Sequence, residues 1–230
     1  MDYLLGGGHG KLVRSPPVEK KPKQPFVLPK PNGNMRRVFA YLMFQRGIDR
    51  DVLYSFVHNK MIYESKKYHN AVFVGYDTTG IPRHAHKRGT GSKSTYKGNA
   101  PNGSQEYSFH WHGRSPYVCL FEAPIDMLSF ISMHKSNWKQ HSYAASCSVS
   151  DKVLFRMLED NPNLKEVFLC FDNDEAGQNA AQRISDKLFL KGIKSRILIP
   201  NGKDWNEDLL TIRAAENESA VAELCQMSLS

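Results

Sequence analysis

The sequence of 230 residues predicts an α/β protein, in which a domain with a central parallel sheet of about four strands follows a small α+β module. Three observations carry this expectation. After Tyr117, short apolar runs alternate with helical patterns, as they do when a parallel sheet is covered on both faces. Before it, helical spacing gives way to strand-like runs separated by turn residues. Charge divides at the same place: residues 1–114 hold 19 Lys and Arg against 7 Asp and Glu, and residues 115–230 hold 12 against 16.

Residues 1–33 read as a disordered basic tail or linker. Gly6-Gly7-Gly8, Pro16-Pro17 and alternating Lys and Pro over 20–31 are too polar and too broken to build a core. The α+β module occupies 34–115. There Met35, Val38, Phe39, Leu42 and Met43 recur at helical spacing and stop at Gly47, a residue suited to a helix end. Asp49 can cap a second helix with Val52, Leu53, Phe56 and Val57 on its apolar face. Residues 61–63, 71–76 and 81–87 read as strands, the last two joined through Asp77-Thr78-Thr79-Gly80. The parallel-sheet domain occupies 116–230. Its strands are expected at 117–121, 142–145, 167–171 and 196–199, and its helices at 124–134, 151–159, 175–191 and 206–214.

Several function classes fall away. No run approaches the roughly 18 apolar residues that span a bilayer, and residues 1–10 lack the basic start and apolar stretch of a signal peptide, so a cytoplasmic protein is expected. Cys119, Cys147, Cys170 and Cys225 form no Cys-x-x-Cys pair, which argues against a zinc ribbon or a disulfide framework. Gly89-Thr90-Gly91-Ser92-Lys93-Ser94 lacks the Gly-Lys pair and the strand-to-helix setting of a phosphate loop. His84-x-His86 and His110-x-His112 each place two imidazoles on one strand face without a third ligand. Tyr107, Phe109 and Trp111 alternate as core or sheet surface does, rather than as base-stacking residues.

Ligands of an open parallel sheet bind at the carboxyl ends of its strands. Glu122 directly follows the first expected strand, Asp172 and Asp174 follow the third, and Asp204 lies after the fourth. Singly, each would be an ordinary acidic residue near a helix start, where the dipole favours it. Four on one rim are costly to keep ionised without a counter-ion and call for a hard cation with oxygen ligands. Magnesium suits them, since it takes one or two carboxylates and completes its shell with water and substrate phosphate. Residues 78–105 contain Arg83, Lys87, Arg88, Lys93 and Lys97 and no acid, so a phosphate-attracting surface stands beside the acidic rim.

Glu122-Ala123-Pro124-Ile125-Asp126 resembles the Glu-Gly-x-x-Asp motif of Toprim domains, and Asp172-Asn173-Asp174-Glu175-Ala176-Gly177 resembles their Asp-x-Asp-x-x-Gly motif. Gly202-Lys203-Asp204 is similar to the Gly-Lys-Asp segment after the last strand of bacterial primases, and 70–88 is similar to the strand-turn-strand preceding their Toprim module. From Met35 onward the chain resembles primase-like proteins of integrative and conjugative mobile elements, in which a domain of unknown function precedes Toprim. Those relatives usually begin with a zinc-binding module, and no such Cys/His pattern is present in this sequence. Ala123 replaces the motif glycine, and Asn70 stands where bacterial primases carry arginine.

The resemblance implies a Rossmann-like Toprim fold and metal-dependent phosphoryl or nucleotidyl transfer on nucleic acid. It implies magnesium or manganese held by Asp172 and Asp174 with Asp204 nearby, and Glu122 as ligand or general acid/base. Arg83, Lys87, Arg88, Lys97 and Lys203 would engage nucleic-acid or nucleotide phosphate. The implied partners are single-stranded DNA or primer-template, nucleotides, and a replicative helicase or relaxase of the element. A Toprim nuclease and a non-catalytic single-stranded DNA-binding accessory module share these features and stay open.

Overall fold

Two sheets organise the chain in the computed structural model, which describes residues 24–148 and 150–227. The first sheet is antiparallel, in the order β1-β2-β3-β4: β1 Ile62–Glu64, β2 Ala71–Tyr76, β3 Pro82–Arg88 and β4 Lys97–Asn99. Two helices precede it. Helix α1, Arg36–Phe39, continues into a π-helical turn over Ala40–Gln45 and stops at Gly47, whose φ of +68° suits glycine. Helix α2, Arg50–His58, starts where the Asp49 carboxylate accepts from the amides of Asp51 (2.9 Å) and Val52 (3.2 Å). At the β2–β3 turn the Asp77 carboxylate accepts from the amides of Thr79 and Ile81 and from Arg83 Nε.

The second sheet has the order β5-β7-β6-β8-β9: β5 His110–Trp111, β6 Tyr117–Phe121, β7 Ser142–Ala145, β8 Glu166–Cys170 and β9 Lys194–Ile197. Strands β7, β6, β8 and β9 run parallel, and β5 adds an antiparallel edge on β7. Helices α3 (Pro124–Met133), α4 (Lys152–Asp160), α5 (Glu175–Leu190) and α6 (Trp205–Met227) complete the domain. The central strands β6 and β8 read as nearly unbroken apolar runs because both faces are covered, whereas the edge strand β9, expected at 196–199 and found at 194–197, is polar and half-exposed. Cys119 and Phe121 of β6 join one core with α3 and with Trp205 and Leu209 of α6, while Val118 and Leu120 join another with α4 and α5.

The first module packs on the α3/α6 side. Val52, Leu53 and Phe56 of α2 and Phe73 of β2 belong to the same core as Phe109, Met127 and Trp205. Phe56 stacks on Trp138 with ring centroids 5.3 Å apart and meets the edge of Trp111 at 5.4 Å. Phe109 and Trp111 are therefore seam residues between the modules.

Residues 24–33, expected to belong to a disordered tail, run along the first sheet. Pro31 bridges to Ser65, the Asn32 amide donates to Glu64 O (2.8 Å), and Phe26 and Leu28 pack beside Val72, Val74 and Ala85. Two spaced apolar side chains among prolines suffice to dock on a sheet already formed. Residues 1–23 lie outside the described residues. Strand β4 escapes sequence reading because Lys97-Gly98-Asn99 has no apolar alternation, and α6 outruns its expected end at 214 because the polar stretch 216–219 interrupts the apolar spacing without ending the helix.

Candidate active site

Register brings the acidic residues level. Phe121 pairs with both Ala145 and Cys170, and Leu169 pairs with Ile197, so the segments leaving β6, β8 and β9 emerge on one rim. Glu122 is fixed by its backbone: its carbonyl accepts from the Cys147 amide (3.0 Å) and from Ser146 Oγ (3.1 Å). The β8 and β9 loops are spliced together. Asn173 donates from its amide to Lys203 O (2.8 Å) and from Nδ2 to Gly202 O (3.3 Å), and Trp205 Nε1 donates to Cys170 O (2.9 Å). Helix α5 descends onto the same loop. A Cβ on Gly177 would lie 2.4 Å from Asp172 O, so only glycine allows this approach.

Two of the expected ligands also serve as helix caps. Asp174 Oδ1 accepts from the Gly177 amide (2.8 Å), and Asp204 Oδ1 accepts from the Glu207 amide (2.8 Å). Asp172 does neither: its Oδ1 is buried without a hydrogen-bond partner. Burial, and then the charges of Glu122, Asp204 and Asp174, push its carboxyl up to about 7, against the pull of Lys97. Burial also raises Glu122. Asp174 and Asp204 add to that rise, and Lys97 and Lys203 oppose it.

The structure adds one residue to the expected set. Asp126, in the first turn of α3, is buried and held well above the ordinary carboxylate range by desolvation, then by Asp172, Asp204 and Glu122. Its signal was present as the second acid of the Glu-x-x-x-Asp spacing. Five carboxylates thus act on one another across the rim.

This donor set, all oxygen, crowded and containing an orphaned buried carboxylate oxygen, fits a hard divalent cation. Among the described residues no three His, Cys, Asp or Glu side chains are spaced to hold an ion unaided. An ion here would take part of its shell from water or phosphate, as magnesium commonly does.

The expected phosphate-binding cations separate into groups. Lys97 and Lys203 act on the rim carboxylates. Arg88 pairs in register with Lys97 and shares its face of the first sheet. There Arg88 Nε donates to Tyr41 Oη (3.2 Å), beside Arg46, which reaches Tyr41 Oη (2.9 Å) and Asn206 Oδ1 (3.1 Å). Lys87 pairs with Gly98 and points to the opposite face. Arg83 sits at the far end of β3, bound to Asp77 at 2.6 Å. None of Arg83, Lys87 and Arg88 is among the principal charges acting on Glu122, Asp126 or Asp172. His84 and His86 are buried in the first sheet, and burial pulls His84 down to about 4.

Known proteins match both halves. Residues 119–209 match the Toprim-like family model and residues 40–115 match that of a protein family of unknown function, DUF3991. An uncharacterized protein of Bacillus anthracis is 28% identical over an alignment of 162 positions that covers 64% of this chain and 46% of that protein; the chain thus spans less than half of that relative's length. The primase fragment of the bacteriophage T7 primase-helicase protein superposes with a TM-score of 0.55 at 20% identity, covering 77% of this chain and 72% of that one. A structure of bacteriophage T7 lagging-strand DNA polymerase interacting with primase domains of two gp4 subunits bound to an RNA/DNA hybrid and dTTP gives a TM-score of 0.56 at 19% identity, covering 76% of this chain and 87% of that one. The Aquifex aeolicus primase (zinc-binding and RNA polymerase domains) gives 0.53 at 16% identity, covering 81% and 56%. At these identities the likeness is one of fold. The chain carries a Toprim-like domain preceded by a DUF3991 domain, on a fold shared with primases.

Proposed function

We propose that this chain carries out metal-dependent nucleotidyl transfer on nucleic acid in the manner of a primase. The observation that carries the reading is the rim itself: Asp172, with an orphaned oxygen and its carboxyl pushed up to about 7, gathers with Glu122, Asp126, Asp174 and Asp204 beside Lys97 of the first sheet. Asp172 and Asp174, with Asp204 nearby, are the residues to hold magnesium or manganese. A bound divalent ion would neutralise charge on transferring phosphate and on the leaving oxygen. Glu122 is a further ligand or moves the proton of the attacking hydroxyl, a role suited to its raised proton affinity. Lys97, Lys203 and Arg88 draw nucleic-acid or nucleotide phosphate to the acidic rim.

Primase domains of similar fold are described in an assembly of T7 lagging-strand DNA polymerase with an RNA/DNA hybrid and dTTP, in keeping with a primed or single-stranded template as this chain's substrate. A helicase or relaxase partner of a mobile element is part of the same proposal. The test is oligonucleotide synthesis on single-stranded template with magnesium or manganese. Glu122→Gln and Asp172→Asn are each expected to lower it by about a hundredfold or more. Wild-type synthesis that survives both changes would refute the assignment. Cleavage of DNA without added nucleotides would identify a nuclease instead.

A further inference from the structure

A second surface suited to nucleic acid lies on the other side of the first sheet from the rim. A cavity of about 1040 Å³ is lined there by Lys30, Arg37, Lys66, Lys67 and Lys87, and no carboxylate lines it. None of these five cations is in an ion pair among the described residues. Two tyrosines face the same space. Tyr68 is 72% exposed and Tyr96 45% exposed, each with a lysine over its ring: Lys67 Nζ at 4.8 Å and Lys87 Nζ at 5.6 Å. Large rings held in water beside unpaired cations do not serve the core, and they are what an unpaired base and its phosphate would meet.

The surface is built rather than incidental. Tyr68 and His69 both take left-handed backbone conformations, with φ of +69° and +52°, which turns the Tyr68 ring outward. Three bonds hold the turn: Thr90 Oγ1 to His69 O, Ser65 Oγ to Lys67 O, and the Lys66 amide to Lys30 O, each 2.8 Å. On the other wall, Gly89 lets the loop to Tyr96 fold back, since a Cβ there would stand 1.9 Å from Ser94 Oγ.

We infer that Tyr68 and Tyr96, with Lys66, Lys67 and Lys87, form an auxiliary site for single-stranded nucleic acid on the face of the first sheet opposite Lys97. The identity of the ligand rests on the reading of the chain as a nucleic-acid enzyme. Lys87 and Arg88 are adjacent in β3 and point to opposite faces, so a strand passing the rim beside Arg88 reaches Tyr96 and Tyr68 by rounding the end of β3. The site would hold template away from the rim, independently of metal.

The test is fluorescence anisotropy of a labelled oligothymidylate on the full chain in EDTA, with circular dichroism to verify folding. Tyr68→Ala combined with Tyr96→Ala should weaken binding about tenfold or more, while Tyr68→Phe combined with Tyr96→Phe keeps the rings and should restore it. Lys66→Ala with Lys67→Ala should reduce the slope of log affinity against log salt by roughly 1.4, two phosphate contacts on a single strand. If the folded Tyr68→Ala/Tyr96→Ala protein binds as the wild type, or if blunt duplex competes as well as single strand, the auxiliary site is overturned. Tyrosine-dependent binding without template-directed synthesis leaves this site standing and defeats the proposed function; synthesis without tyrosine-dependent binding does the reverse.

Discussion

Replacing Asp172 by asparagine should stabilise the metal-free protein while disabling it. The carboxyl is partly buried, lacks a partner on Oδ1, and faces the charges of Glu122, Asp204 and Asp174. In the fold it keeps its proton up to about pH 7, whereas the unfolded chain releases it near 3.8. Between those values the folded state binds more protons, so stability falls as pH rises through the window, and the deficit is complete above about 7. At about 1.4 kcal/mol per tenfold change in proton affinity, the ceiling is about 4 kcal/mol; solvent near the rim reduces the expected gain to about 1–3 kcal/mol. For a chain of this size that is a rise in Tm of roughly 3–10 °C. The assay is thermal unfolding in EDTA at pH 8 and again near pH 4, wild type against Asp172→Asn. The gain should appear at the higher pH and vanish at the lower. Millimolar magnesium should then stabilise the wild type more than the variant, because only the former offers the charged ligand. A variant less stable than wild type at pH 8, or a gain independent of pH, would refute the idea that Asp172 is held under electrostatic load for a cation.

Three further outcomes follow from the geometry. Gly177→Ala would ordinarily favour a helix by up to about 1 kcal/mol, yet its Cβ would stand 2.4 Å from Asp172 O, so a net loss of about 1–3 kcal/mol and a fall in activity are expected, measured by denaturant unfolding and turnover. Trp205→Phe removes the buried bond from Nε1 to Cys170 O and should cost about 1–2 kcal/mol, with the rim loosened enough to weaken magnesium binding in a calorimetric titration. Lys97→Ala removes a cation that opposes the rise of both Glu122 and Asp172; the acidic limb of the pH–activity profile should move to higher pH, and Lys97→Arg should return it.

The parallel-sheet domain was legible because its chemistry is local. Residues 117–121 and 142–145 were bounded in the sequence as in the structure, since apolar runs of that length between helical patterns have few alternatives, and Glu122 and Asp172 are placed by chain order at strand ends. Strand β5 was harder, because His110–Trp111 is too short to show a period. The docking of 24–33 was missed because Phe26 and Leu28 gain burial only from a sheet made elsewhere in the chain.

By itself, then, the sequence determined that Glu122, Asp172, Asp174 and Asp204 follow strand ends, and that a parallel-sheet domain stands behind a basic α+β module; Asp126 joined them only in the fold. Only the tertiary structure decided which cations reach that rim. Whether Lys97, Lys87 or Arg83 acts on Asp172 depends on strand pairing and on which face each side chain takes, and a change of one residue in register reverses the face. Likewise, the crowding that pushes Asp172 up to about 7 arises only when β6, β8 and α6 bring carboxylates distant in the chain into one poorly solvated space.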